Sequence, residues 1–133
     1  MAAQKILVIE DDNGARDALD CLLTEEGFLV RTAASGEAGL ACAREFEPDV
    51  IVCDYYLPDI DGLRVLRCLR ADRGGAFIIV VTAGGYGGSD EEALRLEADV
   101  FLDKPIDLSK LRNALMRVNG AGRRKTHPAP AVN

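Results

Sequence analysis

The sequence predicts a three-layer α/β fold, a parallel sheet covered by helices on both faces, and three observations carry that expectation. Short apolar runs rich in β-branched residues recur at 6–9, 50–53, 77–81 and 100–102. Continuous rather than alternating apolar strands are what a sheet buried on both faces requires. Segments of helical period separate these runs, so strand and helix alternate along the chain. Each run also ends in a polar residue suited to holding phosphate or metal: Glu10 and Asp11, Asp54, Thr82, and Lys104 followed by Pro105. In an open parallel sheet, ligands sit outside the carboxyl ends of the strands. The four positions are therefore expected to converge on one edge.

The elements follow in order. Asn13 is placed to cap a first helix whose Ala15, Ala18, Leu19, Leu22 and Leu23 repeat at three- and four-residue spacing, and Gly27 stops it. Leu29–Ala33 is a second strand, less apolar and so nearer a sheet edge. Ser35 caps a helix running to about Glu45, and Pro48 marks the turn into the third strand. Asp61 caps the next helix, in which Leu63, Leu66, Cys68 and Leu69 alternate with Arg64, Arg67 and Arg70, and Gly74 with Gly75 ends it. Ser89 and Glu92 form a capping box for a short fourth helix. Asp107 caps the last helix, striped by Leu108, Leu111, Leu115 and Val118. Residues 1–119 thus form one domain. Residues 120–133 have two prolines and no periodicity, and read as a flexible tail or truncated linker.

Composition narrows the function classes. A chain of 133 residues can bury a core without metal or disulfide staples. Cys21, Cys42, Cys53 and Cys68 form no C-x-x-C pair and fall inside predicted helices or strands, so all four read as small core residues. No apolar run approaches the roughly 20 residues that span a bilayer, and Lys5 already enters a strand, leaving no room for a signal peptide. A cytoplasmic protein without a membrane partner is expected. The net charge is −6, and Arg123, Arg124 and Lys125 lie in a tail without acids, so the body is more acidic still. Such a body repels nucleic acid.

The motifs I-L-V-I-E-D-D at the first strand, D-Y-Y-L-P-D-I-D-G around Asp54, V-V-T-A at Thr82 and F-L-D-K-P at Lys104 occur in one order over residues 4–119. In combination they resemble the receiver domain of two-component response regulators. That resemblance implies a (βα)5, doubly wound, flavodoxin-like sheet of order 2-1-3-4-5. It also implies a phosphorylation-controlled switch rather than a conventional enzyme, one that catalyses only its own Mg²⁺-dependent phosphorylation and dephosphorylation. By the same resemblance Asp54 is the phosphoacceptor, Asp11 and Asp54 ligate Mg²⁺, Glu10 acts through water, and the backbone carbonyl of Tyr56 completes the protein ligands. Lys104 and Thr82 hold the phosphoryl group, a cis peptide joins Lys104 to Pro105, and Phe101 is a switch aromatic. Phe101 reads equally well as a plain core residue. A sensor histidine kinase or phosphotransfer protein is the implied donor. The implied readout is the face of the fourth helix, fifth strand and fifth helix, serving an output domain, a downstream protein or a homodimer.

Physical chemistry fits these roles. Phosphoryl transfer needs an in-line nucleophile and positive charge on the equatorial oxygens, and an Asp at the end of a buried strand is held rigidly. Oxygen ligands at an open rim suit Mg²⁺ with retained waters. Taken singly, a strand-end Asp caps a turn, a Thr packs and a surface Lys is solvated. Their joint placement after successive core strands is what a bland reading fails to explain. Asp12 either caps the first helix or joins the acidic rim. The glycine-rich loop 84–88 lacks the lysine and spacing of nucleotide-binding motifs and suits movement instead. Arg95, Lys110, Arg112 and Arg117 would face Glu91 and Glu97, as a dimer surface or a solvated face. A haloacid-dehalogenase-type hydrolase would need an acid where Tyr56 stands, and a flavodoxin's phosphate would be repelled by Glu10, Asp11 and Asp12. A degenerate receiver that only binds partners is the remaining alternative.

Overall fold

The computed structural model describes residues 3–72, 75–83 and 97–121. Its strands are β1 (Lys5–Ile9), β2 (Leu29–Ala33), β3 (Val50–Asp54), β4 (Phe77–Thr82) and β5 (Val100–Asp103). The described helices are α1 (Asn13–Glu25), α2 (Gly36–Phe46), α3 (Gly62–Asp72) and α4 (Leu108–Ala121). All strand pairs are parallel, and the order β2-β1-β3-β4-β5 is the expected one. The half-polar strand β2 does lie at an edge.

Alternation along the buried strands divides the core into two layers. Leu7, Ile9, Ile51, Cys53, Ile78 and Val80 pack under α2 and α3, against Leu40, Ala43, Val65, Leu66 and Leu69. Ile6, Val8, Val50, Val52, Ile79 and Val81 point the other way, under Leu19 and Leu23 of α1 and Leu111, Leu115 and Val118 of α4. Helices on both faces leave the strand ends and the β2 edge open to solvent. A buried pair closes the opposite end: Arg70 donates to Ala76 O (2.8 Å), Glu97 O (2.7 Å) and Asp99 Oδ2 (3.1 Å). Asp99 Oδ2 also accepts from the Ile78 N–H at 2.8 Å, so α3 is fastened to the starts of both β4 and β5.

Several expectations are corrected. Of the two candidate caps, Asp12 and not Asn13 caps α1, in line with one of the two readings of Asp12: its Oδ2 accepts from the Ala15 N–H at 2.8 Å, while Asn13 is the first helical residue. Ser35 caps α2 as expected, but that helix reaches Phe46 before Glu47 turns left-handed at φ 53°. The last helix continues through Gly120 to Ala121. Cys53 is buried, yet Cys21 is exposed and Cys42 and Cys68 are half-buried, because α1's outer face and the rims of α2 and α3 meet solvent. Arg112 pairs with Glu26 at 2.7 Å rather than facing Glu97, since α1 and α4 share one face of the sheet. Gly74, the loop 84–88, the Ser89–Glu92 box, Glu91, Arg95 and residues 122–133 lie outside the described residues. Among the described residues no helix is long and apolar enough to cross a membrane.

Two glycines set how closely helices approach the sheet edge. A Cβ on Gly39 would meet Ile9 Cδ1 at 2.5 Å, so α2 lies directly on the end of β1. A Cβ on Gly62 would come within 2.1 Å of the Tyr55 backbone oxygen, which brings the start of α3 against the segment leaving β3. Overpacking costs about 1–3 kcal/mol, more than the roughly 1 kcal/mol that alanine gains over glycine in a helix. Gly62→Ala is therefore expected to lower unfolding free energy in urea. Gly14→Ala, whose Cβ would meet only Asp12 Oδ2 at 3.4 Å, should leave stability unchanged or raise it.

Candidate functional site

Adjacent parallel pairing creates the site. Ile9 lies opposite Cys53 in the β1–β3 register, so the next residues, Glu10 and Asp54, emerge side by side. Asp54 pairs in turn with Val81 of β4, and Thr82 with Asp103 of β5, which brings the remaining strand ends to the same edge. Glu10, Asp54 and Thr82 are buried, at 3%, 5% and 0% exposure, whereas Asp11 is exposed. Carboxylate oxygens of Glu10, Asp11 and Asp54 lie within 4.8 Å of one another. These three predicted residues are brought together.

Lys104 holds this cluster. Its Nζ donates to Asp54 Oδ2 at 2.9 Å and lies 3.0 Å from Glu10 Oε1. Burial alone would lower the ammonium pKa, but the hydrogen bonds and charges of Asp54 and Glu10 outweigh it and raise the value above the ordinary one. The Lys104 N–H donates to Thr82 O at 2.9 Å, and the Lys104–Pro105 peptide is cis. The second oxygens of both acids are also engaged: Glu10 Oε2 accepts from the Asp12 N–H at 3.0 Å and Asp54 Oδ1 from the Tyr56 N–H at 3.1 Å. Beneath them, burial first and then the charges of Asp54 and Glu10 push the Cys53 thiol far up, so it stays neutral.

The outer residues are more open. Tyr56 is half-exposed and stacks edge-on against buried Tyr55, with ring centroids 4.8 Å apart. Phe101 is half-buried and packs at the margin of the α2–α3 layer. An apolar groove of about 750 Å³, lined by Ala15, Leu19, Leu22, Pro105 and Ile106, opens beside Glu10 and Lys104. A rim of three carboxylates with one exposed member suits a hard divalent cation that keeps several waters.

Sequence reading missed two residues around this rim. Arg16 reaches back from α1 to the backbone oxygens of Glu10 (3.0 Å) and Asp11 (3.5 Å), fastening the turn that carries both acids. Its position one turn into α1 was the available signal. Asp59 accepts from the Gly36 and Glu37 N–H groups at 2.8 and 2.9 Å, a contact across more than 20 residues that no local pattern announces.

Comparison with known proteins agrees with the geometry. Residues 6–116 match the family described as the response regulator receiver domain. The chain is 40% identical over 122 residues to the transcriptional regulatory protein AfsQ1 of Streptomyces coelicolor, covering 91% of this chain and 53% of that protein. It is 28% identical over 117 residues to sporulation initiation phosphotransferase F of Bacillus subtilis, covering 88% and 94% of the two chains. A CheY-like response regulator receiver domain protein from Methanospirillum hungatei matches with a TM-score of 0.78 at 28% identity, covering 91% of this chain and 100% of that one. The chain spans about half the length of the transcriptional regulators it matches.

Lys104 is about 30% exposed and, among the described residues, is the cation paired with the carboxylates of Asp54 and Glu10, whose side chains are under 6% exposed. Lys104→Met is expected to cost about 1–3 kcal/mol of unfolding free energy without divalent cations, less than a fully buried pair because of solvent screening. Added Mg²⁺ should restore part of the loss. The raised pKa fixes the sign of the pH effect: the lysine's contribution is complete below its unfolded value and fades as pH rises through its folded one. Urea midpoints should therefore fall more steeply above the ordinary lysine value of 10.5 in the parent than in Lys104→Met.

Proposed function

The chain belongs to the response regulator receiver domain family, and from that membership we propose that it is a phosphorylation-controlled switch in which Asp54 accepts a phosphoryl group from a histidine kinase or phosphotransfer protein. The observation that carries this reading is the Lys104 ammonium held 2.9 Å from Asp54 and 3.0 Å from Glu10 above a three-carboxylate rim. A carboxylate that is buried, strand-mounted and paired with a mobile cation is built for gaining negative charge, not for structural capping.

In the proposed transfer an Asp54 carboxylate oxygen attacks phosphorus in line. The P–N bond of the donor phosphohistidine breaks, its electron pair stays on the ring nitrogen, and that nitrogen takes up a proton. Water later attacks the acyl phosphate at phosphorus, releasing inorganic phosphate and restoring the carboxylate. Asp11, Asp54 and the Tyr56 carbonyl would hold Mg²⁺, with Glu10 acting through water; Lys104, bonded to both Asp54 and Glu10, would have to give up part of that contact to the ion. When bound, Mg²⁺ supplies positive charge against the acids and the phosphoryl oxygens. Lys104 moves with the developing charge, and the Thr82 hydroxyl offers a donor to another phosphoryl oxygen. The groove along α1 gives the donor protein an apolar surface next to the acceptor.

A phosphoryl group brings about −1.5 to −2 charges. Moving a population from 1:99 to 99:1 requires about 5.5 kcal/mol of preference, so a graded shift is the easier response. Phe101 and β5 adjoin Lys104 and would carry that shift, together with α4, to an output domain, a downstream protein or a second copy.

Intact mass after acetyl phosphate and Mg²⁺ tests the reading. One added phosphoryl group is expected on the parent and none on Asp54→Asn. No gain with either acetyl phosphate or a cognate kinase would leave the degenerate, partner-binding reading, and an equal gain in the mutant would remove Asp54 as acceptor. Tyr56 adds bulk beside the acceptor, so Tyr56→Asn should speed dephosphorylation several-fold; an unchanged decay rate would show that this side chain does not limit water access.

A further inference from the structure

The segment leaving β3 is restrained at more points than a connection of this length needs. Tyr55 donates its N–H to Val81 O at 2.9 Å, Tyr56 forms a β-bridge with Asp61, and Gly62 lets α3 close on the Tyr55 carbonyl. The outermost restraint comes from another element. Asp59 Oδ1 and Oδ2 accept from the first two N–H groups of α2, those of Gly36 and Glu37, while Ser35 Oγ takes the third, from Ala38, at 3.1 Å. These are unpartnered donors of a helix start, and a carboxylate there is favoured by charge as well as hydrogen bonding. The Glu37 bond first, then the Gly36 bond, holds the Asp59 carboxyl below the usual carboxylate range.

Asp59 therefore joins two parts of the site that the sheet alone leaves separate. On one side is α2, which lies against Ile9 through Gly39, directly beneath Glu10. On the other is the 55–61 loop, whose Tyr56 N–H steadies Asp54 Oδ1. Gly36 lets the approach be close: a Cβ there would stand 3.2 Å from Asp59 Oδ1, 3.1 Å from Val65 Cγ2 and 3.3 Å from Ile60 Cδ1.

We infer that Asp59 is a positioning residue for the acceptor, holding the 55–61 loop on the start of α2 so that the Tyr56 backbone stays against Asp54. The inference deepens the proposed function and rests on it where phosphorylation is concerned. A residue that merely capped α2 would affect Gly36, Glu37 and overall stability, and nothing at Tyr56.

Amide hydrogen exchange and acetyl phosphate labelling of Asp59→Ala and Asp59→Asn separate the two roles. In folded Asp59→Ala the Tyr56 N–H is expected to exchange about tenfold faster, as loss of a charge-assisted pair of bonds allows, while Val52 in β3 keeps its parent rate. The labelling rate at saturating Mg²⁺ should fall with it. Asp59→Asn should lie between, because a carboxamide offers one acceptor oxygen in place of two. Parent values for either Tyr56 exchange or labelling in folded Asp59→Ala, with acceleration confined to Gly36 and Glu37, would overturn the inference. If Asp59→Ala does not fold, Gly36→Ala perturbs the same contact from the helix side. Faster Tyr56 exchange there supports the role, and a parent Tyr56 rate beside faster Glu37 exchange, which shows the Asp59 contact broken, overturns it. A parent chain that takes no label from either acetyl phosphate or a cognate kinase would overturn the acceptor assignment instead, and exchange alone would then decide the role of Asp59.

Discussion

Two acids buried side by side are the constraint on which the rest of this molecule depends. Parallel pairing of β1 with β3 in the Ile9–Cys53 register leaves Glu10 and Asp54 adjacent, with almost no solvent to screen them. Like charges so placed repel, and burial adds its own penalty. Lys104 is the counterweight, and its reach is set from the far side of the sheet, where its N–H is bound to Thr82 O. Three strands must therefore end at one level. The continuous apolar runs of β1, β3 and β4 achieve that by burying both faces of the sheet to the last residue.

Much of this could be read from the residues because it follows from strictly local rules. Period-two burial and covered faces require apolar strands, so the strand runs and the polar residue ending each were visible as punctuation. The edge position of β2 followed from its half-polar Arg31 and Thr32 in the same way. Less legible was everything decided between elements. Asp12 and Asn13 are equally good caps by type, and Asp12 serves because Glu10 Oε2 holds its N–H at the turn. Arg112 looked available to a distant acid until α4 came to lie beside α1, where Glu26 takes it. Asp59 follows a proline in a loop and resembles any turn residue. Its partners are fixed only when α2 and α3 settle on the same layer.

Stiffness is distributed unevenly around the rim, and that distribution says which part can respond. Asp54 belongs to β3, buried at every residue, and its second oxygen is tied to the loop that Tyr55, Asp61 and Gly62 fasten. Glu10 is tied by the Asp12 N–H, and Arg16 grips the carbonyl behind it. Each acid has both its carboxylate oxygens engaged. Lys104 is different: it follows β5, a four-residue strand that is only partly buried, and carries its charge on a flexible stem.

A phosphoryl group on Asp54, as proposed, would therefore be answered by the cation more readily than by the acids. The start of β5 cannot follow freely, because Asp99 is held by Arg70 and the Ile78 N–H. Beyond Pro105 the chain is committed again, since Asp107 caps α4 through the Ser109 N–H. Between those anchors the proposed response would fall to the stretch from Val100 to Ile106, and half-buried Phe101 sits within it, against the α2–α3 layer. Under the proposed phosphorylation, acids held at every oxygen and facing a short, partly buried strand would turn a local electrostatic change into a displacement at one edge of the sheet.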